Sequence, residues 1–297
     1  MAIAKHPSKL SLPRINPGVA TVLEYLTIKF PYIDADIWRQ RIVAGKIHCH
    51  DGGLITPQSP FKPQQRIYYY REVEYEPSIP FKESIIFQDE HIIVAYKPHF
   101  LAVIPGGVYV NECLQNRLRG STGIDALQAL HRIDRVTAGL VMFAINPDTR
   151  RCYHQLFQTR QIHKTYQAVA NISHSDKLVG REWVVKNRLE HSEPRFLMRV
   201  TEGEANSHSL VRCLQQSTTQ ALFELNPITG KAHQLRVHMQ TLGWPIANDK
   251  YYPQLQPLSA DSYSAPLQLL AKELRFIDPI TQQHRHFSYE RNLSITA

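Results

Sequence analysis

The chain has 297 residues, 43% hydrophobic and 20% charged, room for one large folded domain or two modest ones. That balance excludes global disorder, and the longest apolar run, residues 140–145, is far short of the roughly 20 needed to span a bilayer. The net charge of +8 is uneven: residues 1–71 carry ten Lys and Arg against four acids, leaving +2 for the rest. A basic module of this kind attracts polyanions by counterion release, and nucleic acid is the commonest. Cys49, Cys113, Cys152 and Cys213 form no C-x-x-C, so neither a disulfide scaffold nor a common zinc motif is expected. The first twenty residues lack the apolar stretch of a signal segment, so the expected setting is the cytoplasm.

Residues 1–18 are punctuated by proline and are expected to form a loose arm. Val19, Val22, Leu23, Leu26 and Ile28 then fall near helical spacing. Asp34 or Asp36 can cap a second helix carrying Ile37, Trp38, Ile42 and Val43, with Gly45 placed to end it. Asp51-Gly52-Gly53 marks a hairpin turn, and residues 71–76 alternate as a half-exposed strand does. Residues 19–76 thus make a small basic domain, and residues 77–297 a larger body beginning with a proline-bounded linker. In that body, residues 84–87, 92–96, 139–145, 166–170, 196–200, 208–214, 221–225, 267–277 and 285–289 read as strands. Residues 147–158 and 232–242 read as helices. Many strands with few helices between them predict a mixed α+β body.

Two segments carry candidate chemistry. In His131-Arg132-Ile133-Asp134-Arg135-Val136-Thr137-Ala138-Gly139-Leu140, one carboxylate lies among cations directly before an apolar strand. A loop tip at the edge of a core both positions and exposes a reactive group. Asp134 flanked by two arginines also fits a local salt-bridge knot. The second segment runs from Asn226 through Thr229-Gly230-Lys231 to His233, Gln234, Arg236 and His238. It is not a Walker loop, and His233 and His238 are five apart, not the i, i+4 pair of a zinc helix. His48-Cys49-His50 alternates across a strand and is not expected to converge on a metal.

Taken together, these segments resemble the RluA-type pseudouridine synthases, which isomerise uridine in ribosomal or transfer RNA. The family's H-R-L-D-x-x-T-S-G-L is matched from His131 to Leu140, with Asp134 at the catalytic aspartate. Its K-x-Y-x-A-x-V is approximated from Lys164 through Tyr166 to Val169, and its T-G-R-T-H-Q-I-R-V-H from Thr229 to His238. Tyr96-Lys97-Pro98 is a weaker echo. Ala138, Lys231 and Ala232 depart from the usual Ser, Arg and Thr, while Asp134, Tyr166 and Arg236 are all present. The N-terminal part is similar to the small αL-type RNA-binding domain often fused to these enzymes.

The resemblance implies a mainly antiparallel sheet and an isomerase acting on structured rRNA or tRNA. It implies no cofactor, metal or membrane partner, and a monomer is expected. Asp134, Tyr166 and Arg236 are then the expected catalytic residues, with Arg236 keeping Asp134 charged in a dry pocket. Arg132, His131, Arg135, Lys231 and Gln234 are expected to bind RNA, Arg132 by taking the place of a flipped base. The same residues leave open a protein that keeps this fold and binds RNA without turnover. Whether Asp134 attacks the sugar or acts on it as a base also stays open.

Overall fold

The computed structural model describes residues 1–173, 177–257 and 259–295. The chain divides into two compact units, one of Met1–Pro77 with Gly106–Asn111, the other of Ser78–Pro105 with Glu112–Ala297.

In the first unit, β1 (Ala2–Ile3), β2 (Ser8–Ser11), α1 (Val22–Lys29), α2 (Ala35–Val43), β3 (Ile47–Cys49), β4 (Arg66–Tyr69) and β5 (Glu72–Val73) follow in order. Thr21 caps α1 by accepting from Glu24 N–H at 3.2 Å, and Asp34 caps α2 by accepting from Asp36 N–H at 2.8 Å. Gly45, in the left-handed region at φ +69°, follows the end of α2. Trp38 is fully buried against Phe30 and Tyr69.

Residues 1–18 are not a loose arm. β1 pairs with β5, and β2 forms one edge of the sheet β2-β4-β3. Leu12 joins the core with Leu10 packed against it, so apolar burial together with backbone pairing ties the segment down. The alternation across residues 71–76 yields only the two-residue β5, while the longer strand lies just before it at β4.

The second unit contains β6 (Ser84–Gln88), β7 (Ile92–Lys97), α3 (Leu114–Thr122), β8 (Gln128–Ala129), β9 (Ala138–Ala144), α4 (Arg150–Gln158) and β10 (His163–Asn171). There follow β11 (Glu182–His191), β12 (Met198–Thr201), β13 (Ser207–Gln216), β14 (Gln220–Pro227), α5 (Gln234–Thr241), β15 (Leu269–Ile277) and β16 (His284–Ser288). One sheet runs β12-β11-β13-β14-β10-β15-β9-β7-β6, with β16 on β15 and β8 on β9. Among the described residues every pairing between these strands is antiparallel except β9 with β15, so the body is a mixed α+β fold on a mainly antiparallel sheet.

That parallel pairing requires glycine at one point. Gly139 has φ +124° and faces Ala271, where a Cβ would stand 2.2 Å from the Ala271 carbonyl oxygen. It lies five residues beyond Asp134 and brings the start of β9 against β15. Two core clusters flank the junction. Leu235 and Met239 of α5 pack with Phe223, Val211 and Ala168, while Tyr153 and Leu156 of α4 pack with Met142, Leu140 and Leu274.

Candidate active site

Asp134 stands in the connection from β8 to β9, at a turn closed by Thr137 N–H donating to its carbonyl at 3.0 Å. Lys97, at the end of β7, is completely buried beneath this connection. Its Nζ donates to the carbonyls of Pro98 at 2.9 Å, Leu101 at 2.7 Å and Arg135 at 3.0 Å. Three acceptors match the three N–H groups of an ammonium, and one of them belongs to the residue next to Asp134. Burial pushes Lys97 well below the ordinary lysine range, and the charge of Asp134 pulls the other way. His99 Nδ1 is 2.7 Å from the Val136 carbonyl and holds the far side of the turn.

Arg236 comes from the first turn of α5. Its Nη1 donates to Asp134 Oδ2 at 3.1 Å, while Nε and Nη2 reach the two oxygens of Asp249 at 2.7 and 2.6 Å. The guanidinium also lies over the rings of Tyr251 and Tyr252, at 4.7 and 5.3 Å. Burial alone would lower its pKa, but Asp249 and then Asp134 outweigh that and raise it, so the cation is secure.

Tyr166 sits where β10 bulges against β15, opposite Ala271 on one side and Leu225 on the other. Burial first, and the charge of Asp134 second, push its phenol far up, so it is neutral at pH 7. Asp134, Tyr166 and Arg236 line one cleft of about 1000 Å³. Its floor holds an ion pair and an aromatic ring, and its rim carries Arg132, Arg160 and Lys231. The Asp134 side chain is 30% exposed, so the carboxylate is anchored yet reachable.

A family model described as "RNA pseudouridylate synthase" matches residues 91–241, which hold Asp134, Tyr166 and Arg236. The chain belongs to that family.

It is an RNA pseudouridine synthase, an isomerase, of the RluA type. The dual-specificity RNA pseudouridine synthase RluA of Vibrio vulnificus is 33% identical over 70% of this chain and 82% of its own. The mitochondrial tRNA pseudouridine(32) synthase of Saccharomyces cerevisiae is 27% identical over 74% of this chain and 47% of its own. Among solved structures, human RNA pseudouridylate synthase domain containing 1 shares the fold, with a TM-score of 0.58 and 19% identity. That match covers 73% of this chain and 86% of the other.

The expected RNA contacts of the synthase separate into two groups. Arg132 and Lys231 are exposed on the cleft wall. Among the described residues Arg132 forms no ion pair; Asp134 is held by Arg236, and Glu90 lies beside His91. The local salt-bridge knot around Asp134 is therefore absent among these residues.

His131, Arg135 and Gln234 are instead engaged within the protein. His131 Nε2 accepts from Met142 N–H at 3.0 Å, and its ring stacks on Phe157 at 4.6 Å. Burial, then Lys164, pushes its pKa down to about 3, so it is neutral at pH 7. Arg135 makes a two-point pair with Asp261, at 2.7 and 2.9 Å. Gln234 donates to His208 O and Ser209 Oγ and accepts from Thr229 Oγ1 and Lys231 N–H. Its amide braces the turn before α5, a role open to a buried residue (4% exposed).

Asp249 escaped the sequence-level reading. It is the only acid between Glu224 and Asp261, and a buried arginine in the third motif demands a carboxylate nearby. That demand was the available signal. Among the described residues no group of three or more His, Cys, Asp or Glu is arranged to hold a metal ion. No described helix is long and apolar enough to cross a membrane.

Proposed function

We propose that this synthase isomerises uridine in structured rRNA or tRNA, with Asp134 as the reacting carboxylate and Arg236 as its anchor. The observation carrying this reading is the 3.1 Å contact from Arg236 to Asp134 at the floor of the cleft. It orients the carboxylate while leaving it reachable. The name of one relative specifies tRNA, and that of another dual RNA specificity, which supports the substrate class.

The chemistry is a balanced isomerisation. The bond from ribose C1′ to uracil N1 breaks, the base turns, and a bond from C1′ to C5 forms. C5 loses a proton and N1 gains one, so nothing is consumed. Tyr166, held neutral, offers a ring to stack on uracil and a hydroxyl to carry a proton, rather than a phenolate base. Arg132 fills the gap left by the extruded uridine. The convergence of Asp134, Tyr166 and Arg236 supports turnover over silent RNA binding.

The N-terminal unit adds RNA affinity through the outer face of β2-β4-β3. Lys9, Tyr68 and His48 form one cross-strand row, and Arg66 shares the face with Tyr68 by strand alternation. The rings of His48 and His50 stack on Tyr68, at 5.4 and 6.0 Å. Aromatic rings beside cations suit unpaired RNA bases and their phosphates.

The decisive experiment is Asp134→Asn. Product should fall at least about a thousandfold, with RNA affinity within a few-fold of the unaltered protein. Normal turnover by a folded variant overturns the assignment.

A further inference from the structure

His233 precedes α5 in a left-handed conformation, φ +50°, which is uncommon for a residue with a side chain. Strained backbone of this kind persists where surrounding contacts enforce it. Here those contacts define the state of the imidazole ring.

His233 Nδ1 lies 2.9 Å from Tyr252 Oη, and Tyr252 Oη lies 2.8 Å from the backbone nitrogen of Met198. The Met198 N–H can only donate, so the phenol oxygen accepts there, which leaves its own hydrogen available to His233 Nδ1. With the phenol donating, Nδ1 is the acceptor of the ring and the imidazole proton sits on Nε2. That Nε2 is 3.9 Å from Asp134 Oδ2, the oxygen that also accepts from Arg236 Nη1. Burial holds the His233 pKa below the usual histidine value, against the opposing pull of Asp134.

A single buried carboxylate organises both arms. Asp249 holds Arg236 by two bonds and accepts from the backbone N–H groups of Tyr251 and Tyr252, at 2.8 and 3.2 Å. One arm runs from Asp249 through Arg236 to Oδ2, the other through Tyr252 and His233 toward the same atom. Asp134 Oδ1 accepts no hydrogen bond among the described residues.

We propose that His233 is a positioning residue whose Nε2–H, fixed by Tyr252, closes onto Asp134 Oδ2 when RNA binds, leaving Oδ1 as the oxygen presented to the nucleotide. Catalytic hydrogen bonds are often long before substrate arrives, so a 3.9 Å separation is a starting geometry. The ring supplies a neutral donor, which orients the carboxylate without adding a second cation beside Arg236.

This inference rests on Asp134 as the reacting carboxylate, which Asp134→Asn tests separately. Its own test uses His233→Asn, since asparagine tolerates the left-handed backbone but is too short to reach Asp134. Turnover should fall about 10- to 100-fold, the effect of losing one hydrogen bond to a charged group, with KM for RNA within twofold. His233→Gln, which keeps a donor near the Nε2 position, should recover part of the deficit.

Tyr252→Phe retains the ring over Arg236 but removes the hydroxyl, and should lower kcat severalfold. Nitrogen-15 NMR of histidine-labelled protein should show His233 in the Nε2–H form, and a mixture of tautomers in Tyr252→Phe. An Nδ1–H tautomer in the unaltered protein, or unchanged kcat in His233→Asn while Asp134→Asn is inactive, overturns the proposal and leaves the assigned reaction standing.

Discussion

Arg236 and Asp249 form a two-point ion pair with 2% and none of their side-chain surfaces exposed, and only the remaining guanidinium nitrogen reaches Asp134. Asp134 is therefore held by a cation whose own position is set elsewhere. A lone arginine could follow Asp134 as it moved; this one cannot. Its stiffness is the physical basis of a pre-oriented carboxylate.

Removing the charge of Asp249 should then damage both stability and chemistry. Asp249→Asn leaves a buried guanidinium without its main partner, a change of about 3–5 kcal/mol. Urea unfolding should show the destabilisation. Turnover measured where the variant remains folded should drop with little change in KM. A variant with an unaltered urea midpoint and full activity would show that Asp249 is dispensable to Arg236.

Arg132 offers a second expectation. It lies on the cleft rim without an ion pair among the described residues, so removing it should cost the fold little. Arg132→Ala should lose most of its rate on structured RNA, where extruding the uridine costs a few kcal/mol. On a short unstructured strand the deficit should shrink. Equal deficits on both substrates would overturn the base-replacing role and assign Arg132 to the chemistry.

The small sheet can be tested without truncation, which is preferable because residues 106–111 belong to the same compact unit as residues 1–77. Replacing Lys9 and Arg66 by alanine should reduce the dependence of log affinity on log salt by about 0.7 for each RNA phosphate that is no longer neutralised. Turnover at saturating RNA should stay the same. An unaltered salt slope would place the RNA-binding cations elsewhere.

Acid should weaken the fold through two histidines, the half-buried His131 and the buried His238. His131 is held down to about 3, chiefly by burial, and His238 to about 4 for the same reason. His238 is fully buried, with Nε2 3.0 Å from both Ser207 Oγ and Asn187 Oδ1. An unfolded histidine titrates near about 6.5, so as pH falls the unfolded chain takes up protons first. Their contribution is complete above about pH 6.5 and drains away as pH falls toward 4 and then 3. The urea midpoint should therefore decline between pH 7.5 and pH 5, and His238→Gln should flatten that decline. A midpoint independent of pH across this range would refute the argument.

Local order was readable from local pattern. β9 is buried at every position, as an interior strand requires. Asp34 and Gly45 bracket α2 as their cap chemistry predicts. Elsewhere local pattern failed for identifiable reasons. β11 mixes Glu182, Lys186, Arg188 and Glu190 with its apolar residues and gave no strand signal, yet ten residues there pair between β12 and β13. α5 begins two residues later than its apolar spacing suggests because His233 is left-handed. Residues 1–18 looked like an arm because the partners of β1 and β2 lie more than fifty residues away.

By itself the sequence determined the family and the α+β class, and it named three residues that line one cleft, because each motif is a short run of specific residue types. Only the tertiary structure decided which cations are exposed on the cleft and which are used inside. Arg132 and Arg135 are near neighbours in sequence, yet one is exposed and the other is paired with Asp261, 126 residues along the chain. Asp249, Tyr252 and His233 likewise join the site through contacts that no local spacing encodes. Such partnerships follow from strand order and from the approach of β9 to β15 at Gly139 and Ala271. A buried charge must find its partner in space, and its nearest neighbour in sequence is often not the one it finds.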